Sequence, residues 1–272
     1  MKEQTGVLSR REGAMGMGKP AVGIIGGTGR MGTWFSGFME QCGMVVLRTG
    51  KDGPHGLEEV VRTCRVVVIS VPIRKALPLI RRIGPLMSED SLLMDLTSVK
   101  EAPLAAMMSC SRSEVVGLHP LFGPDDDSPR ERKMVICRGR GDRGMRWIKG
   151  LLQEAGVETL IMDAAEHDRF MGIIQGANHL ATLALALSIK RSGVPLEQLV
   201  RCATPVFMER LERVQAMLGQ PSELFSALMM GNPHAWEFLK AVKGSLEEWL
   251  ELVGDKDENA FADLFDSLRG YY

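Results

Sequence analysis

A histidine that could accept a proton follows a short apolar segment in the middle of the chain. Residues Glu114 to Leu118 include the β-branched Val115 and Val116 and predict a buried strand, and Pro120 is expected to end regular structure directly after His119. In open α/β sheets, ligands bind at the carboxyl ends of the strands. Histidine titrates near neutral pH, so His119 could act there as a general base without a metal. The alternative is a histidine that only binds a loop carbonyl.

A serine occupies the corresponding place after another predicted strand. Ser98 follows the strand Ser91–Leu96 and is expected at the same sheet edge as His119. Its hydroxyl could cap the helix that comes next, or it could hydrogen-bond a catalytic group. The residues alone leave both interpretations open.

A glycine-rich turn near the start of the chain predicts a dinucleotide site. It follows the short apolar strand Ala21–Gly26 and opens an amphipathic helix that continues to about Cys42. In a GxGxxG motif placed between a strand and a helix, the glycines allow a tight turn, close approach to a pyrophosphate and close packing of helix on strand. The residues of this turn that we expect to contact the cofactor are Gly27, Thr28, Gly29, Arg30, Met31 and Gly32.

The end of the second predicted strand bears on the choice between NAD and NADP. An NAD site usually has an acidic residue there for the ribose 2′-hydroxyl. Here the strand Met44–Leu47 is followed by Arg48, Thr49 and Lys51, and the first acidic residue is Asp52. Because a cation at this place would pair with a 2′-phosphate, Arg48 and Thr49 favour NADP, with NAD as the alternative. Arg48 could also be a solvated loop charge.

The remaining N-terminal segments complete a parallel sheet. The segment Arg65–Ser70 is apolar enough for a strand buried on both faces, and Ser70, Val71 and Pro72 should lie beside the nicotinamide end of the cofactor. Two more strands, Lys133–Cys137 and Val157–Met162, flank a helix. This alternation predicts an α/β fold, a doubly wound parallel Rossmann-type sheet with a short extension at its far edge.

The chain after Asp163 is predicted to be entirely helical. We expect a disordered leader over residues 1–19, a dinucleotide-binding domain over residues 20–163 and a helical domain over residues 164–272 for substrate binding and dimerisation. The predicted helices of this last domain are Ala165–Lys190, Leu196–Leu218 with an interruption near Pro205, Ser222–Met230, His234–Val253 and Asp257–Leu268.

Two of these helices carry informative side chains. Polar residues at spacings near 3, 4 and 7 form a stripe on the otherwise apolar first helix, and burying them is costly unless they face a wet pocket or satisfy one another. The members of the stripe are Asp168, Gln175, Asn178, His179 and Thr182. The helix His234–Val253 has an apolar face too large for a small domain to bury, which predicts a homodimer.

Composition excludes several classes of protein. With 33 Lys and Arg against 34 Asp and Glu, and without a basic stripe, the 272-residue chain is not expected to bind nucleic acid. The five scattered cysteines indicate a reducing compartment. The longest apolar runs are too short to span a membrane, no metal-ligand spacing occurs, and residues 1–19 do not resemble a signal peptide. These features predict a cytoplasmic protein that binds neither metal nor membrane.

From about Lys19 to its C-terminus the sequence resembles the prephenate dehydrogenase family of tyrosine biosynthesis, in the form without a fused mutase. The segments that carry the resemblance are Gly26–Gly32, Val68–Ile73, Asp95–Lys100, Gly117–Asp125 and Glu166–Met171. The resemblance implies oxidative decarboxylation of prephenate to 4-hydroxyphenylpyruvate, with hydride passing from ring C4 to the nicotinamide.

The resemblance also implies roles for individual residues. His119 would take the proton of the ring hydroxyl, and Ser98 would orient His119 and bond the same hydroxyl. His179 and Gln175 would line the substrate pocket, and Asp125 would help to gate it.

One departure from the family pattern affects the substrate. Relatives carry a carboxylate-binding arginine about nine residues before the aromatic at Phe225, where this chain has Ala216. Arg213 lies one helical turn from Ala216 and is the better replacement, and Arg210 lies further round the helix. Two other functions stay open, an arogenate dehydrogenase and a non-catalytic NADP-binding regulator.

Overall fold

The computed structural model describes residues 21–51, 53–124 and 132–272. The expected leader over residues 1–19, Asp52 and the proposed gating residue Asp125 lie outside these ranges. The chain divides into two compact units, one ending at Asp168 and the other spanning Arg169–Tyr272.

The first unit is built on a seven-stranded sheet in the order β2-β1-β3-β4-β5-β6-β7. The strands are β1 (Ala21–Ile25), β2 (Val45–Thr49), β3 (Val66–Ile69), β4 (Leu92–Asp95), β5 (Glu114–Pro120), β6 (Lys133–Arg138) and β7 (Glu158–Met162). Its helices are α1 (Arg30–Gln41), α2 (Leu57–Thr63), α3 (Ile73–Ile83), α4 (Glu101–Cys110), α5 (Arg143–Glu154) and the start of α6 (Ala164–Met171), with a 3₁₀ turn at Gly84–Leu86.

The topology confirms the predicted doubly wound fold. Strands β1 to β5 run parallel, and β2 and β3 lie on opposite sides of β1, so the chain crosses β1 on its way from β2 to β3. Two clusters of buried apolar side chains occupy the two faces of the sheet, one beneath α1 and α5 and the other beneath α2, α3 and α4. At the far edge, β6 pairs antiparallel with β5 and β7 runs parallel to β6. Hydrophobic patterning carries no information on strand direction, so the sequence predicted these strands without predicting their reversal.

The expectation that Pro120 ends regular structure directly after His119 is wrong. Strand β5 continues through both residues, and Pro120 lies opposite Met134 in the antiparallel ladder. The next N–H on the β6 side, that of Leu121, bonds the carbonyl of Lys133 at 2.9 Å. Because backbone direction alternates along a strand, the nitrogen of Pro120 faces the β4 side, where pairing has already ended. The backbone N–H that Pro120 lacks would have no strand partner on that side, so the proline removes no hydrogen bond from the sheet.

The second unit is helical. Its elements are the remainder of α6, a π-helical segment (Gly172–Ala177), α7 (Asn178–Arg191), α8 (Leu196–Arg201), α9 (Pro205–Leu218), α10 (Ser222–Gly231), α11 (Ala235–Asp255) and α12 (Glu258–Arg269). The predicted interruption near Pro205 is present, with the side chain of Thr204 capping α9.

The predicted polar stripe on the first helix of this region is divided. Asp168 is fully buried at the end of the first unit, Gln175 lies in the π-helical segment, and Asn178 is exposed. A π turn holds an additional residue, so a pattern drawn on a continuous α-helix goes out of phase across it. The helical stretch Ala164–Arg191 is also long and apolar enough to be a candidate membrane span by length and composition.

Few apolar side chains of the second unit are buried. Large apolar residues are exposed along several of its helices, among them Ile173, Ile174, Leu187, Val206, Leu218, Met230, Trp236, Leu250, Val253 and Phe265. A monomeric domain rarely exposes so many.

Candidate active site

His119 lies in β5 at the carboxyl edge of the parallel strands and is 2% exposed. Burial holds the pKa of His119 well below its usual value of 6.5, and the neighbouring His167 and Lys100 lower it further. The imidazole is therefore neutral at neutral pH, which is the form that can accept a proton.

A buried ion pair lies beside this strand. The ammonium of Lys100 is 2.5 Å from Asp95 Oδ2, at the end of β4, and both side chains are fully buried. The last β4–β5 partners are Asp95 and Gly117, so the carbonyl of Leu118 has no strand partner, and Lys100 binds it at 2.8 Å. A Cβ at Gly117 would lie 3.2 Å from Lys100 Cδ, so the glycine leaves room for the lysine chain. This ion pair was not predicted from the sequence, because a lysine before a helix usually projects into solvent.

Ser98 is half-buried in the loop between β4 and α4. It does not cap α4: the helix begins at Glu101, and its first N–H groups bind the carboxylate of Asp168, Lys100 N at 2.7 Å and Glu101 N at 2.9 Å. A carboxylate reaching in from another element has replaced the predicted local cap. Within the described ranges no hydrogen bond joins Ser98 to His119.

A second histidine, His167, lies between His119 and the carboxylate of Asp168. His119 Nδ1 is 2.8 Å from His167 Nε2, and His167 Nδ1 is 2.7 Å from Asp168 Oδ1. His167 and Asp168 are both fully buried. Sequence reasoning placed His167 in a family-like segment without a role and Asp168 in the polar stripe. The feature that could have indicated a shared role for them is that two polar residues stand side by side at the start of an otherwise apolar helix.

The glycine loop lies between the ends of β1 and β3, where the strand order reverses. Gly26 has φ +84°, and a Cβ there would lie 2.2 Å from the carbonyl oxygen of Ser70. A Cβ at Gly32 would lie 2.2 Å from the carbonyl of Gly26. Both positions therefore admit only glycine, and Gly26 is a loop residue that the predicted motif, beginning at Gly27, did not include.

The loop and helix α1 together can hold a dinucleotide. Helix α1 begins at Arg30, with Gly29 as its N-cap, so Met31 and Gly32 lie in its first turn, where backbone N–H groups have no partner within the helix. Val71 and Pro72 follow β3 at the same edge, and Pro72 is the N-cap of α3. The predicted loop residues and this second segment thus border one crevice.

Arg48 and Thr49 border the glycine loop. Arg48 belongs to β2, because this strand continues to Thr49 and does not end at Leu47 as predicted. Arg48 pairs with Ile24 of β1, and its Cβ lies 2.9 Å from where a Cβ at Gly27 would be. Its guanidinium is 2.6 Å from Glu40 Oε1 in a partly exposed ion pair. Thr28 lies against the next turn, since a Cβ at Gly50 would be 2.1 Å from its hydroxyl oxygen.

The remaining predicted site residues belong to the second unit. Gln175 Oε1 is buried without a hydrogen-bond partner among the described residues. His179 packs edge-on against Phe225, with ring centroids 5.2 Å apart, and burial lowers its pKa. Arg213 is exposed on α9, away from the buried positions Leu211, Val214 and Met217.

Two family models match consecutive parts of the chain. Residues 48–140 match the nucleotide-binding domain of prephenate dehydrogenase, and residues 163–267 match its dimerization domain.

Curated relatives match over most of the chain. It is 30% identical to the T-protein of Haemophilus influenzae over 92% of its length and 32% identical to that of Enterobacter agglomerans over 93%. It is 27% identical to a probable arogenate/prephenate dehydrogenase of Methanocaldococcus jannaschii over 92% of its length. The chain spans 66%, 68% and 60% of the lengths of these relatives, respectively.

The fold resembles that of a solved enzyme, the prephenate dehydrogenase of A. aeolicus in complex with hydroxyphenyl propionate and NAD+. The TM-score is 0.72 at 17% identity, covering 93% of this chain and 97% of that one. Together with the two family models, the likeness to the Enterobacter agglomerans protein shows that the chain belongs to the prephenate dehydrogenase family.

Proposed function

We propose that the protein oxidatively decarboxylates prephenate to 4-hydroxyphenylpyruvate in tyrosine biosynthesis, with a nicotinamide cofactor as hydride acceptor. The observation that carries this proposal is a histidine kept neutral by burial, at the sheet edge that also bears a glycine loop fit for a dinucleotide. The solved relative with NAD+ and hydroxyphenyl propionate, a compound similar to the product, supports it.

The chain's own residues would supply binding and proton transfer. A bound nicotinamide would supply the acceptor for the hydride of ring C4 of the substrate. His119 accepts the proton of the hydroxyl on that carbon, and Ser98 hydrogen-bonds the same hydroxyl. The ring carboxylate leaves as carbon dioxide, and its bonding electrons complete the aromatic ring. Aromatisation drives this loss, so no side chain needs to assist it.

We further propose NADP as the preferred cofactor, because Arg48 stands where an NAD site usually has an acidic residue. The guanidinium would exchange its partly exposed contact with Glu40 for the 2′-phosphate. Thr49, Ser70, Val71 and Pro72 would contact the remainder of the cofactor.

Three residues of the second unit are assigned to the substrate. Arg213 would bind a substrate carboxylate, since it is exposed and a carboxylate requires a charged or hydrogen-bonding partner. Gln175 has a buried carbonyl oxygen able to accept a hydrogen bond, and His179 is held by Phe225. Asp125, outside the described residues, keeps its proposed gating role. Arogenate is the alternative substrate, as the name of the Methanocaldococcus jannaschii relative indicates.

We also propose that the protein is a cytoplasmic homodimer. The second unit exposes apolar side chains on several helices, and its sequence matches the family's dimerization domain. A second copy would cover this surface, including the exposed apolar side chains of Ala164–Arg191 such as Ile173, Ile174 and Leu187. Light scattering of protein purified without detergent should give twice the monomer mass. A monomer, or a protein recovered only with detergent, would contradict the proposal.

The activity is tested by a two-by-two assay. Purified protein is incubated with prephenate or arogenate and with NADP or NAD, and the absorbance of the reduced cofactor is followed. We expect the highest kcat/KM with prephenate and NADP. Faster turnover of arogenate would establish the alternative substrate, and no reduction with either substrate would favour a regulator.

The role of His119 is tested separately. His119→Asn should lower kcat by roughly two to four decades with a modest change in KM, because the variant lacks the base and keeps the binding groups. His55→Asn, at a half-buried surface histidine whose hydrogen-bond partner among the described residues is Glu59, is the matched control. Near-normal turnover of His119→Asn would remove the assignment.

A further inference from the structure

The three buried side chains of His119, His167 and Asp168 form a hydrogen-bonded series whose direction can be deduced. It begins at the N-terminus of α4, where the backbone N–H groups of Lys100 and Glu101 bind Oδ1 and Oδ2 of Asp168. A backbone N–H can only donate, so both carboxylate oxygens accept. A carboxylate in this position is also favoured by the helix dipole.

The next bond follows from the first. Asp168 Oδ1 accepts from His167 Nδ1 at 2.7 Å, so the proton of that bond belongs to the imidazole. A neutral imidazole carries one N–H, and His167 Nε2 is therefore left as an acceptor. The opposite direction would require a protonated carboxylic acid at a helix N-terminus, already bound to two N–H donors.

The last bond then fixes His119. His119 Nδ1 lies 2.8 Å from His167 Nε2 and, with His167 in its neutral form, donates to it. The ring planes are 77° apart and the centroids 5.0 Å apart, so the two imidazoles meet through these nitrogens instead of stacking. The lone pair of His119 consequently lies on Nε2, the nitrogen not used in the series.

We propose that His167 and Asp168 are positioning residues that hold His119 as its Nδ1–H tautomer and so make Nε2 the atom that accepts the substrate's proton. This inference rests on the proposed function for its role in the reaction. The tautomer itself is a property of the protein without substrate. When Nε2 takes a proton, the acceptor His167 also stabilises the resulting imidazolium, as the carboxylate does in a Ser-His-Asp triad.

The experiment is ¹⁵N NMR of histidine-labelled protein, with the His119 signals assigned from the His119→Asn spectrum. In the wild type we expect His119 Nδ1 to be protonated and Nε2 unprotonated. In the wild type the two carboxylate oxygens of Asp168 accept from three N–H groups, those of Lys100, Glu101 and His167 Nδ1. Asp168→Asn leaves one acceptor oxygen for these three donors, so the direction of the series is no longer fixed and a fraction of His119 should carry its proton on Nε2. Turnover should then fall by roughly two to four decades with little change in KM.

Asp163→Asn is the matched control, because the Asp163 side chain accepts from Ala165 N at 2.8 Å at the start of the same helix, and the only contact with His167 that is described is between backbone groups, which the substitution keeps. Its spectrum and turnover should equal those of the wild type. A protonated Nε2 in the wild type, or an unchanged His119 tautomer in Asp168→Asn, would overturn the proposal.

A second pair of variants decides the question if Asp168→Asn does not fold. The oxygen and nitrogen of a Gln amide are about as far apart as the two ring nitrogens, so His167→Gln can accept from His119 and donate to Asp168. It should keep the wild-type tautomer and much of the turnover, whereas His167→Leu should lose both. Equal turnover of the two would overturn the proposal. A wild type inactive on prephenate and arogenate would contradict the proposed function but would leave the tautomer measurable.

Discussion

The ammonium of Lys100 lies 2.8 Å from the carbonyl oxygen of Leu118, the residue immediately before His119. The same ammonium pairs with Asp95, and both side chains are fully buried. One lysine thus ties the end of β4 to the strand that carries the proposed base.

Removing this cation should destabilise the protein. Lys100→Met leaves Asp95 as a buried charge without its partner, which typically costs roughly 3–5 kcal/mol in the free energy of unfolding. The double variant Asp95→Asn/Lys100→Met removes both charges and should recover much of that loss. Urea denaturation of the single and double variants measures both effects. Equal stability of Lys100→Met and the wild type would show that the pair is not needed.

The pH dependence of turnover should reflect the burial of His119. Because burial, His167 and Lys100 hold the pKa of His119 well below 6.5, kcat/KM should stay constant as the pH falls through 6.5 and decline only at lower pH. In the unfolded chain His119 titrates near its usual value. Below that pH the unfolded state binds the additional proton, so His119 should make the folded protein less stable as the pH falls. An acidic limb of kcat/KM at or above pH 6.5 would contradict this expectation.

Cofactor preference should depend on Arg48 and its partner. The wild type should use NADP better than NAD, and Arg48→Asp should reverse the preference, because a carboxylate repels a 2′-phosphate and accepts from a 2′-hydroxyl. Glu40→Gln releases Arg48 from an exposed ion pair worth at most about 1 kcal/mol, so it should raise the NADP preference by up to about fivefold. The ratios of kcat/KM measure both effects. Equal values for the two cofactors in the wild type would count against the role of Arg48.

The substrate anchor is tested on α9. Arg213→Ala should raise KM by roughly tenfold or more with kcat little changed, because an anchor binds the ground and transition states alike. Arg210→Ala, on the same helix, is the control. If only Arg210→Ala raises KM, Arg210 is the anchor, and if neither does, the substrate is not bound from this helix.

The sequence predicted those parts of the fold in which the spacing of apolar residues along the chain matches the repeat of the strand or helix that they form. Apolar runs such as Val66–Ile69 predicted buried parallel strands, and the glycine turn placed the dinucleotide crevice at the end of β1. His119 could be assigned to a strand end because an apolar run precedes it.

The other features depend on residues that are distant in the sequence. His119 and His167 are 48 positions apart, and no periodicity connects them. Asp168 caps a helix that begins 67 residues earlier, so the cap could not be found among the residues before that helix. The residues around Asp168 in the sequence indicated instead that it belongs to the polar stripe of an α-helix.

The π-helical segment Gly172–Ala177 affects how this chain can change in length. It holds one residue more than an α-helical path of the same extent, and its glycines allow close approach of α11: a Cβ at Gly172 would lie 2.7 Å from Phe238, and one at Gly176 would lie 3.5 Å from Ala235. Deleting one residue here would convert the segment into regular α-helix of the same extent, so the residues beyond it, His179 among them, would keep their present neighbours. The same deletion within the regular turns of α7 would rotate every following side chain by about 100°. The chain can therefore lose one residue at this place with little effect on the rest of the helix, whereas a deletion further along changes which side chains the helix presents.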